Sequence, residues 1–212
     1  FFEKKKNEPK FKKAIAARII LKSKSELNIS DENISLMLGD KSHIVLYPIN
    51  KKRELNLVCI MRCKKFDPDN TKKLITDLVL KQNPKLKNIF DNEIKSWPLY
   101  FTPKFLSSSN KKVFYIGDAF NGFLPTLAQG AGQSIESAYE IFNLLKENKL
   151  DTDTYFKLRS KRAKIVRKRS NLNFFVFHFS NSFIQNIRNM ILRFLVKRKK
   201  FIKGYLGKVY KN

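Results

Sequence analysis

The sequence predicts an α+β (mixed α/β) chain in which an antiparallel sheet comes first and helices follow. Three observations carry that prediction. Strand-like pieces at residues 34–38, 43–49 and 55–61 succeed one another with turn signals at Gly39-Asp40 and residues 50–53, the pattern of a meander. Apolar residues recur at helical spacing in residues 69–80 and again from Ser134 onward. Between these regions, residues 113–116 form a short continuous apolar strand that runs straight into Gly117-Asp118.

Taken in order, residues 1–13 are charged, lack apolar periodicity and read as a linker or ragged edge. Residues 14–21, apolar apart from Arg18, suit a strand, and the meander follows. Leu74, Ile75, Leu78 and Val79 make the stripe of the first helix, and Pro84 starts a short second one through Phe90. Trp97-Pro98 and Pro103 mark irregular chain. After the strand at 113–116 comes a loop with Gly122, Pro125, Gly130 and Gly132. A helix then begins near Ser134 and is expected to bury Ile135, Ala138, Phe142 and Leu145. Asp151-Thr152-Asp153 is an N-cap cluster for a long basic helix. A last amphipathic stretch, residues 183–196, puts Ile184, Ile187, Ile191 and Leu195 on one side with Arg188 nearby.

Composition narrows the classes. With 212 residues, 42% hydrophobic and 13% aromatic, the chain has material for one compact core or two small ones, which excludes wholesale disorder. No run reaches the roughly eighteen apolar residues of a bilayer-spanning helix. Cys59 and Cys63 cannot make a disulfide framework and no signal peptide precedes the domain, so a reducing cytoplasm is expected. The chain opens on Phe1 rather than Met, and a fragment or processed product is expected. Net charge is +26, and residues 154–212 hold seventeen Lys and Arg with no Asp or Glu. That tail suits an anionic membrane surface or nucleic acid; a general Lys excess at exposed positions also yields it. The nucleic-acid reading rests on charge alone and no recognised module accompanies it.

The informative segment is residues 113–138. An Asp at the carboxyl end of a buried strand lies where open sheets offer a ligand crevice, and Asp118 can accept hydrogen bonds from sugar hydroxyls. Gly130 and Gly132 let a ligand approach the backbone, and the amides from Gln129 to Gln133 sit at a helix N-terminus, which favours negative charge. Together these describe a site for an anionic, sugar-bearing cofactor. On spacing alone a second reading stands beside it: an Asp after a strand also forms turns, and Gly-x-Gly before a helix is also a tight turn. The segment is neither a Walker loop nor a full G-x-G-x-x-G fingerprint.

Residues 113–138 resemble the second FAD-binding motif of the single-component, flavin-dependent aromatic hydroxylases, the salicylate-hydroxylase-like group especially. The motif stands here as Gly117-Asp118-Ala119-Phe120-Asn121, Pro125, Gln129-Gly130-Ala131-Gly132-Gln133 and Glu136. Residues 39–49 look like that group's strand of the form G-x-x-x-H-x-V-x-Y-P, Ala17-Arg18 sits where an aromatic-Arg-Gly step usually opens the substrate sheet, and Trp97 and residues 159–170 also fit. The resemblance implies that Gly117, Asp118, Pro125, Gln129, Gly130, Ala131 and Gly132 bind FAD. Asp118 would take the ribityl or ribose part, Pro125 the isoalloxazine face, and residues 130–132 the flavin N1–C2 carbonyl edge. Two positions depart from the pattern: Asn121 replaces the family His, and Phe120 replaces its second Ala, putting a large side chain at the entrance.

The resemblance also places His43 on a strand over the substrate pocket, where it would take a proton from a substrate phenol. The plainer alternative is a strand-edge His hydrogen-bonded to a neighbouring loop. Cys59 and Cys63 lack nearby His ligands, so no metal site is expected, and His178 lies among Phe residues as a packed side chain.

Hydroxylases of this kind are usually nearly twice as long and begin with a βαβ unit whose G-x-G-x-x-G holds the FAD pyrophosphate. That N-terminal unit and the middle Asp-Gly motif are missing here. The resemblance therefore implies a carboxyl-terminal part: a linker at 1–13, substrate-domain sheet and helices at 14–105, the second FAD motif at 106–150, and basic closing helices at 151–212. The implied reaction is hydroxylation of an aromatic or quinone-like small molecule with FAD, NAD(P)H and dioxygen. The implied partners are that substrate and the missing N-terminal FAD-binding half. A different reading is a peripheral membrane protein, held at the inner face of an anionic membrane by its basic amphipathic C-terminal helices.

Overall fold

The computed structural model describes residues 8–21, 33–51, 54–82, 84, 93–205 and 207. By its contacts the chain divides into two compact units: one holds Lys12–Leu99 with Val176–Ile187, the other Phe1–Phe11, Tyr100–Phe175 and Arg188–Asn212.

The first unit is built on a five-stranded sheet of order β2-β3-β4-β1-β5. The meander forms as expected: β2 (Ser35–Gly39), β3 (Ser42–Ile49) and β4 (Glu54–Arg62) pair antiparallel in sequence. Strand β1 (Lys10–Leu21) pairs antiparallel with β4, in the register Ile15↔Met61 and Ile19↔Leu57. It starts at Lys10, inside the segment expected to be a linker, and Lys13 takes a left-handed φ of 54° where the polar start gives way to the apolar run. Alternation decides which face is buried. Ile19, Ile44, Leu57 and Cys59 point to one face, and Ile75 and Val79 of α1 (Pro68–Gln82) cover it. Truncating one of these, Leu57→Ala for instance, costs about 2–5 kcal/mol. Asp67 caps α1 by accepting from the amides of Asp69 and Asn70 at 3.1 and 3.4 Å. The second helix expected at 84–90 lies, Pro84 apart, outside the described residues.

Trp97-Pro98, expected to be irregular, lies inside strand β5 (Ile94–Phe101). The reason is position. β5 is the last strand of the sheet order, and an edge strand tolerates a proline because one side of its backbone needs no ladder bonds.

The second unit is mostly helical. Residues 113–116, expected to be a strand, pair with no strand among the described residues. Ile116 is extended, but extended chain becomes sheet only beside a partner backbone. The turn α2 (Gly117–Phe120) follows, then a 3-10 turn (Pro125–Leu127), then α3 (Gly130–Lys146), which begins four residues earlier than expected. The long basic helix is α4 (Thr152–Phe177), and Asp151 caps it, its Oδ1 2.9 Å from the amides of both Asp153 and Thr154. Helices α5 (Ser182–Leu195) and α6 (Lys199–Tyr205) close the chain.

The expected buried stripe of α3 is turned around. Ile135 is 71% exposed, Phe142 60% and Leu145 54%, and Ala138 is exposed too, while Gln133, Ser137 and Leu144 are buried. The inward face is polar because α4 presents Arg159 to it: one guanidinium nitrogen donates to the Gln133 carbonyl at 3.2 Å and to the Gln133 Oε1 at 2.9 Å. A buried guanidinium needs acceptors, and α3 supplies them. Leu144 packs instead with Phe120, Tyr155 and Ala163 in the apolar core of this unit.

Candidate cofactor site

The residues singled out between 117 and 132 all fall in the second unit. Tyr155 is buried on α4 and donates through its hydroxyl to the Tyr115 carbonyl at 2.8 Å, which fixes the extended segment leading into α2. At its end Gly117 has a φ of +54°, and a Cβ there would run into the Ser134 hydroxyl on α3. Glycine is needed twice over, for the left-handed backbone and for the close approach of α3 to α2.

Asp118 does not sit in a crevice at the end of a paired strand. It lies in the first turn of α2, is exposed, and accepts no hydrogen bond and pairs with no cation among the described residues. Phe120 does not crowd an entrance. It is buried, stacks on Phe105 with ring centres 5.4 Å apart, and meets Tyr155 and Phe156 edge-on. The replacement of a small residue there fills the core of the unit. Asn121 is fully buried: its Oδ1 accepts from the Thr102 hydroxyl at 3.4 Å, that hydroxyl accepts from the Gly122 amide at 2.8 Å, and the Asn121 Nδ2 has no partner among the described residues.

Pro125 is exposed at the head of the 3-10 turn, and Ala128 closes that turn in the left-handed region, at φ 52°. The turn is tied down to α4: the Thr126 hydroxyl donates to the Ser170 carbonyl at 2.7 Å and Asn173 donates to the Thr126 carbonyl at 3.2 Å. Gln129 is the N-cap of α3, without a side-chain capping bond, and the first intrahelical bond is Gln133 N–H to the Gln129 carbonyl at 2.8 Å. The amides of Gly130, Ala131 and Gly132 thus stand at the positive end of a seventeen-residue helix with no internal acceptor.

The glycines of this turn differ from Gly117. A Cβ on Gly130 would meet nothing within 4 Å, and one on Gly132 only the Gln129 Oε1 at 3.7 Å. Their φ values are ordinary, so neither fold nor packing requires glycine, although each costs up to about 1 kcal/mol of helix propensity relative to alanine. The donor set suits a flavin: uncapped amides for its electron-rich carbonyl edge, and an unused carboxylate at Asp118 for its sugar hydroxyls.

Behind the turn, α3 and α4 are joined by charge. Glu136 accepts from Arg159 at 3.2 Å and from Arg162 at 3.1 Å. Partial burial pushes its carboxyl up, but the bonds and charges of Arg162 and Arg159 outweigh that and hold it below the usual glutamate range. This cluster positions the α3 N-terminus, and sequence reading missed it. The signal was there in Arg159 and Arg162, three apart on one helix face, and in Glu136, the acid of the motif that falls on α3.

His43 belongs to the other unit. It is buried on the sheet face opposite α1, paired across the ladder with Ile60, and its Nδ1 lies 3.2 Å from the Nε2 of His178. Burial, and then the neighbouring His178, push its pKa down to about 3. On the same face the Arg18 Nε donates to the Asn56 Oδ1 at 2.5 Å, and the Asn56 Nδ2 is buried without a partner among the described residues. Cys59 and Cys63 are free thiols packed in or against the sheet core, and burial raises Cys59 to about 12.

Comparison with known proteins adds the class. Klebsiella pneumoniae HpxO, solved with FAD and uric acid, superimposes with a TM-score of 0.78 at 12% identity, covering 97% of this chain and 55% of HpxO. A salicylate hydroxylase substrate complex gives a TM-score of 0.71 at 17% identity, covering 96% and 57%. Hispidin-3-hydroxylase of Neonothopanus nambi is 27% identical over 119 residues, 52% of this chain and 26% of that protein. The fold is that of the flavin monooxygenases. The squalene epoxidase family model matches residues 4–201, so the chain belongs to that family of FAD-dependent monooxygenases. The resemblance read from residues 113–138 holds at that level, although the matching family model is squalene epoxidase rather than the salicylate-hydroxylase-like group. The chain spans about half the length of the solved structures it matches and about a quarter of the curated relative.

Proposed function

We propose that this chain is the carboxyl-terminal part of an FAD-dependent monooxygenase that hydroxylates an aromatic or quinone-like small molecule, with NAD(P)H as reductant and dioxygen as oxidant. The observation that carries the reading is the uncapped α3 N-terminus, with two glycines that the chain's own packing does not require. In this reading FAD supplies the redox and oxygen-activating chemistry. Gly130, Ala131 and Gly132 hold its electron-rich edge through their amides, and Gln129 ends the turn that presents them. Asp118 binds the sugar part, Pro125 flanks the ring, and Gly117 lets α3 and α2 meet closely enough for both to reach one ligand. His43 serves here as half of a buried pair with His178, since a histidine with a pKa of about 3 is a weak proton acceptor at neutral pH. The two free cysteines suit a reducing compartment such as the cytoplasm.

We further assign the outward stripe of α3 and residues 113–116 to a second polypeptide segment that completes the cofactor site. Ile135, Tyr139, Phe142 and Leu145 form an exposed apolar face on the very helix whose N-terminus makes the cradle. Magnitudes agree. Nanomolar FAD binding needs about 12 kcal/mol. A helix end contributes at most about 2 kcal/mol, and hydrogen bonds to charged groups about 1.5–3 each. The chain alone should therefore bind FAD in the micromolar range or weaker and purify without yellow colour. Titration of flavin fluorescence tests this. Gly132→Val and Asp118→Ala should each weaken binding about tenfold, and unchanged affinity in both would remove the site. Stoichiometric, dialysis-resistant FAD on the unaltered chain would remove the need for the second segment.

A further inference from the structure

Two arginines of α4 meet one glutamate directly behind the α3 N-terminus. The Arg159 side chain is only 4% exposed, and those of Arg162 and Glu136 are mostly covered. The Glu136 Oε2 accepts from both guanidinium groups, at 3.2 Å from Arg159 and 3.1 Å from Arg162, so one negative charge is divided between two positive ones. A second nitrogen of Arg159 goes to Gln133, whose carbonyl and Oε1 accept at 3.2 and 2.9 Å, and both of these acceptors are neutral. That bond also fixes the Gln133 amide, because a guanidinium only donates and must face the oxygen. The Arg159 Nε and the Gln133 Nε2 are then buried without partners among the described residues. The cluster is rich in donors and short of acceptors. Arg159 keeps part of its charge uncompensated where water does not reach it, an arrangement that packing alone would not favour over a neutral side chain.

Position gives that charge its consequence. Gln133 directly follows Gly132, and Arg159 touches the Gln133 carbonyl, so the guanidinium lies within roughly 10 Å of the Ala131 and Gly132 amides. A ligand held by those amides is one hydrogen bond farther. At that range, and at the effective dielectric of a protein site, one unit charge changes the binding of another by about tenfold. The flavin ring that the proposed function puts there is neutral when oxidised. A hydride from NAD(P)H brings it two electrons and one proton, releases NAD(P)+, and leaves the ring with one negative charge on its N1–C2 carbonyl edge. The counter-charge that Arg159 lacks therefore arrives only with reduction. Other charged groups nearby act less. Glu140 lies one turn farther along α3 and is half-buried, while Asp118, Lys157 and Lys161 are exposed and screened by solvent.

We propose that Arg159 is a positioning residue which, acting through Gln133 and the first turn of α3, biases the cofactor site toward the reduced, anionic flavin, with Glu136 moderating the bias. The proposal rests on FAD lying at that turn, and the test separates the two. Anaerobic equilibrium dialysis of the 212-residue chain at neutral pH, against oxidised FAD and against dithionite-reduced FAD, gives two dissociation constants whose ratio is the readout. The unaltered chain should bind the reduced form about tenfold tighter or more. Arg159→Gln should cut that preference about tenfold, equivalent to a fall of about 30 mV in the midpoint potential of bound FAD. Arg159→Lys, which keeps the charge, should keep most of the preference. Glu136→Gln should raise it about fivefold, because the counter-charge is gone, even as the fold loses stability. A purely structural cluster behaves differently: each substitution would weaken both forms together and leave the ratio alone. Circular dichroism shows which variants are folded, and if Arg159→Gln is not, the rise with Glu136→Gln still decides. A ratio that no folded variant moves, or one that Glu136→Gln lowers, overturns the proposal while the FAD reading stands. Binding of neither flavin form by the unaltered chain overturns both.

Discussion

A side chain at position 117 would require the backbone to hold φ at +54° and would meet Ser134 at once. Gly117→Ala should therefore destabilise the chain by about 1–3 kcal/mol, read as a lower urea midpoint. Gly130→Ala should do the opposite in the absence of flavin: the midpoint stays or rises by up to about 1 kcal/mol, because nothing opposes the Cβ and helix propensity improves. A large loss for Gly130→Ala would show that packing, not a ligand, requires that glycine. The His43 prediction is one of pH. Its folded pKa is depressed to about 3 from 6.5, so between those values the unfolded chain binds more protons than the folded one. The stability it contributes is whole above about pH 6.5 and is lost as pH falls, by about 2 kcal/mol at pH 5. His43→Gln should flatten the slope of urea midpoint against pH between 7 and 5. The sequence displayed His43 on its strand, but its partner stands 135 positions away, and no local pattern joins them.

Among the elements, helices were legible, and the face each buries was legible for α1, where Ile75 and Val79 are buried, but not for α3. Periodicity located α1, α3 and α5, and the cap cluster at Asp151 located α4, because apolar spacing and capping are properties of the segment alone. It then misassigned the buried face of α3, because burial depends on what α4 brings, and α4 brings Arg159. Pro98 misled for the same reason: its effect on a strand depends on whether a neighbour needs its missing N–H, and at the sheet edge none does. Two predictions belong here. Phe142→Ser, on an exposed face, should change the urea midpoint by no more than about 0.5 kcal/mol. Glu136→Gln should cost about 1–3 kcal/mol by leaving Arg159 and Arg162 without their carboxylate. Since the pKa of Glu136 is depressed in the fold, its contribution is present above about pH 4.5 and lost as pH falls through the folded value. The variant should therefore differ from the unaltered chain at pH 7 and converge with it in acid.

For the molecule as a whole, the expectation is a folded chain with a cofactor cradle of limited strength on its own. Urea unfolding should show two transitions if the sheet unit and the helical unit melt independently and one if they do not; the Glu136→Gln change should move the transition of the helical unit. Differential scanning calorimetry with and without millimolar FAD should show a rise in melting temperature that Asp118→Ala removes. The sequence by itself determined the meander, the places of α1, α3, α4 and α5, the cap at Asp151 and the motif at 117–132, because alternation, capping and turn chemistry are written within a few residues of where they act. Only the tertiary structure decided that Phe120 fills a core, that Asp118 stands exposed in a helical turn, that the α3 stripe faces outward and that His43 meets His178. Each of these depends on which distant residue arrives opposite, and burial is a relation between segments rather than a property of one.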